Sequence, residues 1–228
     1  MIDQLEDRVA PEGLAWLQEA AAEVAHNPAA IGARFPAVGR KVGRGPLDPN
    51  ADPDDVHAWT IDDAARTYLL QALGGHAQSE LDQLYRYGDA AERRGILRAL
   101  EHLDVDALHL VEDAIRTNDT RLIAAALGPY ATERLPGAAY DQAVLKCVFV
   151  GVPITPLDGL ERVTPDGARM LAALVHERVA AGRDVPAEVW TVIDRHSPEE
   201  EIAAIRAELE SPFEDRRVAA ERALGGRP

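Results

Sequence analysis

Asp141-Gln-Ala-Val-Leu-Lys-Cys-Val-Phe-Val-Gly-Val-Pro153 is the stretch on which the fold turns. From Ala143 to Val150 every residue but Lys146 is apolar, so the segment shows no solvent face and belongs inside a domain. Its β-branched content would also suit a buried strand, and periodicity alone does not separate the two. Pro136 and Gly137 ahead of it, Gly151-Val-Pro153 behind it, and a span long for a strand point to a helix. Lys146 then stands in an apolar setting, where an ammonium must snorkel, find a carboxylate or lower its pKa. A paired or snorkelling structural lysine is the plainer reading. A lysine that holds an anion or takes part in chemistry is the sharper one.

Outward from this centre, the chain reads as helices broken by Gly and Pro. Leu5 to His26 carries Leu14, Leu17, Ala21 and Val24 on one stripe and is stopped by Pro28. Thr60 is a natural N-cap for the helix that follows Trp59, with Asp62 and Asp63 at its positive end. Further helices are expected from Ala90 to Leu103, from Asp104 to Thr117 and from Thr164 to Ala181, with three more after Pro186. No segment alternates at period two, so the fold is expected to be all-α. Gly88-Asp-Ala-Ala-Glu-Arg-Arg-Gly-Ile-Leu-Arg-Ala-Leu100 and Ser211-Pro-Phe-Glu-Asp-Arg-Arg-Val-Ala-Ala-Glu-Arg-Ala-Leu224 look alike, each with acids, then Arg-Arg, then Ala-Leu. That likeness suggests a HEAT-like α-solenoid stack of helical hairpins in one compact domain. Residues 1–58 would form an N-terminal helical segment with a Gly/Pro-rich basic loop, and residues 59–228 the helical-repeat domain.

The net charge of −15 argues against nucleic acid and against docking on anionic lipid. No apolar run reaches membrane-spanning length, and the first residues show no signal peptide, so a cytoplasmic location is expected. Cys147 is the single cysteine, which excludes a disulfide framework and a thiolate zinc site. Against this acidity, Arg34, Arg40, Lys41 and Arg44 cluster around Gly39-Arg-Lys-Val-Gly-Arg-Gly-Pro46. The segment reads as a solvated linker that pairs with nearby acids, or as an anion-binding loop whose glycines let backbone N–H groups approach phosphate.

Several motifs fail on inspection. His176-Glu177 begins like H-E-x-x-H, but Ala180 stands where the second histidine belongs. Asp62-Asp63 and Asn118-Asp119 evoke the acidic motifs of terpene cyclases, yet Arg66 replaces a needed carboxylate, so no diphosphate-holding metal is expected. No nucleophile elbow is present. The sequence therefore calls for no metal and no cofactor.

Arg116-Thr-Asn118, Gly128-Pro-Tyr-Ala131, Asp141-Gln-Ala-Val-Leu-Lys-Cys-Val-Phe149, Gly159-Leu-Glu-Arg162, Ala168-Arg-Met-Leu171 and His176-Glu-Arg-Val-Ala-Ala-Gly-Arg183 occur in an order that resembles the EboA family. The likeness is strongest from Trp59 to Trp190. It implies a bacterial gene cluster for making or exporting a secondary metabolite, beside a UbiA-like prenyltransferase, a TatD-like hydrolase and sugar-phosphate-type enzymes. Gly128 and Tyr140-Asp141 depart from the Asn-Pro-Tyr and Trp-Asn that the family usually shows.

Two functions fit these features. One is an accessory protein that binds a metabolite or the neighbouring pathway enzymes. The other is a metal-independent enzyme acting on an anionic phosphate, diphosphate or carboxylate. Its catalytic residues would be His176, Glu177 and Lys146, and its ligand-binding residues Arg116, Asn118, Gln142, Arg162 and Arg178. Gln142 and Lys146 are one turn apart and share a helix face. Arg116, Lys146 and Arg178 are each expected to be held by a carboxylate or a ligand, with Glu177, Glu112 and Asp141 as the candidate carboxylates.

Overall fold

The computed structural model describes residues 2–227. Among them there is no strand. Backbone pairing outside helices and turns reduces to one antiparallel bridge between Pro46 and Thr60, so the chain is all-α as its patterning predicts. It forms two compact units, residues 1–134 and 135–228.

The first unit contains α1 (Ile2–Glu6), α2 (Pro11–His26), α3 (Ile31–Arg34), α4 (Val38–Val42), α5 (Ile61–Ala72), α6 (Ala77–Tyr87), α7 (Ala90–Ala99), α8 (Leu108–Arg116), α9 (Thr120–Ala126) and α10 (Pro129–Arg134). Helix α5 is its hub, packed against α1, α2, α4 and α7. The composition of α5 explains the position: from Ile61 to Thr67 every residue is buried, including two aspartates and an arginine. A Thr60–Asp63 capping box starts the helix, each side chain accepting from the other's backbone N–H.

Three expectations need correction here. The helix predicted from Leu5 to His26 is two helices, because Pro11 has no N–H to continue a helix and opens α2 as its first residue. The helix predicted from Asp104 starts only at Leu108. Tyr130 holds the residues before it in a loop, its hydroxyl donating to the Val105 carbonyl at 3.1 Å and accepting from the Ala107 N–H at 2.7 Å. Finally, half of the basic Gly39–Pro46 segment is helical, in α4.

The second unit contains α11 (Gly137–Val150), α12 (Pro165–Ala180), α13 (Trp190–His196), α14 (Glu199–Ala207) and α15 (Glu214–Gly225). Its hub is α12, which packs against α11, α13, α14 and α15. The decisive stretch is a helix as predicted, but it is not apolar all round in its setting. Ala143, Val144, Cys147 and Val148 are buried, whereas Gln142, Leu145, Lys146 and Phe149 lie along an outward stripe at helical spacing. Phe149 is 67% exposed. Lys146 sits half-buried on that stripe, so the apolar enclosure expected for it is absent. Burial pushes the Cys147 thiol up to about 12, which leaves it an inert small hydrophobe.

Asp141 is a buried acid of this unit, and it braces the residue that caps α12. Its carboxylate accepts from the Thr164 N–H at 3.0 Å and the Thr164 hydroxyl at 2.6 Å, while Thr164 caps α12 at Gly167. A Cβ on Gly167 would stand 2.5 Å from the Asp141 carboxyl carbon. Gly167→Ala is therefore expected to lower stability by about 1–3 kcal/mol, the range for overpacking a site that cannot move aside. Urea denaturation would measure it, and an unchanged midpoint would contradict the close fit.

The repeated Arg-Arg pattern does not carry one structural job. Arg94 of α7 is buried against Asp63, whereas Arg217 of α15 donates to the Ser211 carbonyl just ahead of its own helix.

Candidate functional site

The chemistry of the first unit gathers where α5 faces α7. Asp62 and Arg66 lie at i and i+4 on α5, and their side chains meet at 2.5 Å. Arg94 Nε lies 2.9 Å from both Asp63 carboxylate oxygens, and its Nη2 donates to the Thr60 hydroxyl at 3.0 Å. Arg98, one turn further along α7, reaches Asp63 at 3.3 Å. Three arginines thus share two aspartates in a dry interior, with Asp63 and Arg66 both 0% exposed. Burial raises the Asp63 pKa above the usual carboxylate value, and Arg94 and Arg98 pull against it. Burial lowers that of Arg98, with Asp63 opposing. Gly95 makes room for this arrangement, because a Cβ there would meet Arg66 Cδ at 2.8 Å. The Nε and Nη2 of Arg66 have no hydrogen-bond acceptor, and its guanidinium lies 5.5 Å from the centre of the Phe35 ring.

From this cluster, Arg98 reaches out to shape the loop before α5. It donates to the carbonyls of His57 at 3.1 Å and Ala58 at 3.0 Å, and lies 5.2 Å from the centre of the Trp59 ring. The loop is closed at its base, where the Leu47 N–H donates to the Trp59 carbonyl at 2.8 Å and the Ile61 N–H to the Gly45 carbonyl at 2.9 Å. Within it, Asp48, Asp52 and Asp55 each accept the backbone N–H two residues on, at 2.9, 2.9 and 2.8 Å. Residues 47–59 are thus a pinned loop with close ends.

Two clefts use this loop as a wall. The smaller, about 220 Å³, is lined by Arg44, Arg94 and Arg121 against Asp52 and Asp55, with Thr60 beside them. The larger, about 1030 Å³, is lined by Asp7, Asp48 and Asp55 against Arg8, with Trp59 and His102 beside them. Asp55, Ala58 and Trp59 belong to both. The local excess of guanidinium in the smaller cleft is notable in a chain of net charge −15.

The residues singled out from the sequence lie elsewhere. Arg116 and Asn118 are exposed residues of the first unit, with Arg116 3.5 Å from Glu112, one of the candidate carboxylate partners. The other six belong to the second unit. Gln142 is exposed and donates to Met170 Sδ at 3.2 Å. Arg162 donates to the Leu135 carbonyl at 2.8 Å and lies 5.1 Å from the centre of the Tyr140 ring. Arg178 donates to the Asp184 carbonyl at 2.9 Å, a backbone acceptor in place of the carboxylate expected. Glu177 is exposed, and His176 lies 3.4 Å from Glu208. None of the eight lines either cleft. Of the residues that do, the sequence singled out Arg44 by its basic loop and Thr60 as an N-cap, and it also drew attention to Asp62, Asp63 and Arg66 of the adjoining cluster, which line neither cleft. The pairing of Asp63 with a residue on α7 leaves no mark in local spacing.

Among the described residues no group of three or more His, Cys, Asp or Glu side chains is placed to hold a metal ion. No described helix is long and apolar enough to cross a membrane. A family model described as metabolite traffic protein EboA matches residues 1–194, which include both clefts and all eight residues above. Neither a curated protein nor a solved structure matches the chain.

Proposed function

Since the chain belongs to the EboA family, we propose that it serves a secondary-metabolite pathway as an accessory protein that holds an anionic small molecule in the smaller cleft of its first unit. The observation that carries this reading is the convergence of Arg44, Arg94 and Arg121 on one cleft of about 220 Å³. Guanidinium groups present paired N–H donors that suit phosphate and carboxylate oxygens. Their donors, brought together on one cleft wall, favour an anion there even on an acidic protein. Arg94 is held from behind by Asp63, so it presents its donors without a large loss of side-chain freedom. Trp59 and Thr60 complete the wall with an aromatic surface and a hydroxyl. A phosphate or a small carboxylate fits the volume.

Thermal-shift measurements with inorganic phosphate, pyrophosphate and citrate test this directly. At millimolar concentration at least one of them should raise the Tm, as any ligand specific for the native state does. The Arg44→Gln/Arg121→Gln double variant should lose that response. Both residues are exposed, so its stability without ligand should stay within about 0.5 kcal/mol of the parent. A wild-type protein that no anion stabilises would end this reading.

A further inference from the structure

The smaller cleft does not stand alone. The segment from Asp55 to Trp59 separates it from a cleft nearly five times as large and of opposite character. Arginines outnumber aspartates on one side of this wall, whereas on the other Asp7, Asp48 and Asp55 outnumber Arg8. The larger side also has an aromatic element: Trp59 and His102 form a tilted pair with ring centres 6.3 Å apart. Leu47, Pro49 and Ala51 add apolar lining. The wall is held in place from the interior by Arg98, whose guanidinium bonds its carbonyls and lies beside the Trp59 ring. The two clefts are neighbours that share Asp55, Ala58 and Trp59, so a ligand that uses both must reach across this fixed wall.

From this juxtaposition we infer that the ligand is a two-part molecule: a phosphate-type anionic head in the arginine cleft, joined to an aromatic body bearing an ammonium group in the cleft lined by Trp59, His102 and the aspartates. This deepens the proposed function and rests on it. Each part of the molecule answers one feature. The head meets the guanidinium groups, the ring meets the Trp59–His102 surface, and the ammonium meets Asp7 together with Asp48 and Asp55, whose single turn bonds leave carboxylate capacity over. A simple anion would leave the larger cleft unused, and a simple amine would leave the arginines unmatched.

Four probes separate the contributions by calorimetric titration of the full chain: inorganic phosphate, tyramine, phenyl phosphate and 4-(2-aminoethyl)phenyl phosphate. The last should bind roughly tenfold or more tighter than inorganic phosphate or tyramine, because joining two fragments makes the second contact intramolecular. Phenyl phosphate should fall between. The Asp7→Asn/Asp48→Asn variant should abolish the advantage of the amine while leaving inorganic phosphate binding unchanged. Asparagine keeps the side-chain acceptor of the Asp48 turn, so the loop should survive the change. Equal affinity for 4-(2-aminoethyl)phenyl phosphate and inorganic phosphate would overturn the two-part ligand but leave the anion cleft standing. An advantage that survives in the Asp7→Asn/Asp48→Asn variant would overturn it as well. Failure of all four probes to bind would instead remove the anion cleft itself.

Discussion

Asp63→Ala is expected to destabilise the first unit by about 3–5 kcal/mol, the cost of breaking a buried ion pair from one side. The carboxylate is 0% exposed, accepts from Arg94 and forms an ion pair with Arg98. Its removal leaves Arg94 with Thr60 and the more distant Asp62, and Arg98 with the loop carbonyls, so two guanidinium charges lose the carboxylate they share. The same substitution deletes half of the capping box that starts α5. Guanidinium chloride denaturation of the single variants and of Asp63→Ala/Arg94→Ala closes a thermodynamic cycle. The double variant should cost clearly less than the two singles together, since it removes the stranded charge along with its partner. Strict additivity would show that the pair is not coupled, against the geometry.

Trp190→Ala should cost the second unit a similar amount, about 3–5 kcal/mol for truncating a fully buried indole. Trp190 is 0% exposed, and its Nε1–H donates to the Ala223 carbonyl at 2.7 Å. That bond joins α13 to α15, and Arg227 adds to it, donating to Asp194 at 3.0 Å with its guanidinium 5.3 Å from the centre of the indole ring. The family match ends at residue 194, yet α14 and α15 bury Ile202, Ile205, Ala219, Ala220 and Ala223 in the same unit. A chain cut after Asp194 should therefore lose the cooperative unfolding transition of the second unit in calorimetry. Trp190→Phe keeps most of the volume but not the donor, and it should fall well short of the alanine variant.

What could be read in advance follows from the range of the interactions. Helix starts and stops are local, so Thr60 as a cap, Pro165 after Thr164, and Gly151 after Val150 were legible from neighbouring residues. The all-α class was legible for the same reason. Burial of α11 was only half legible. Composition shows how apolar a helix is, but what covers each stripe depends on distant partners, and Leu145 and Phe149 face outward. The candidate site was hardest. Asp62 and Arg66 disclose their pairing by i, i+4 spacing, and Arg66 was already the residue that broke the supposed metal motif. Nothing near Asp63 announces Arg94, which arrives from another helix. Lys146, His176 and Arg178 stand out in the sequence because charged residues there interrupt apolar stripes, but such interruptions mark the rim of a helix face as readily as a pocket.

The Asp141–Thr164–Gly167 contact has a consequence for how this chain can change over generations. The aspartate is useful only while the threonine receives it, and it fits only while position 167 lacks a side chain. A lineage that acquires alanine at 167 first meets a clash. One that loses the aspartate first leaves the Thr164 N–H and hydroxyl without their acceptor, after which the glycine is released from constraint. The order of mutational steps is thereby restricted, and the three positions should vary together or not at all.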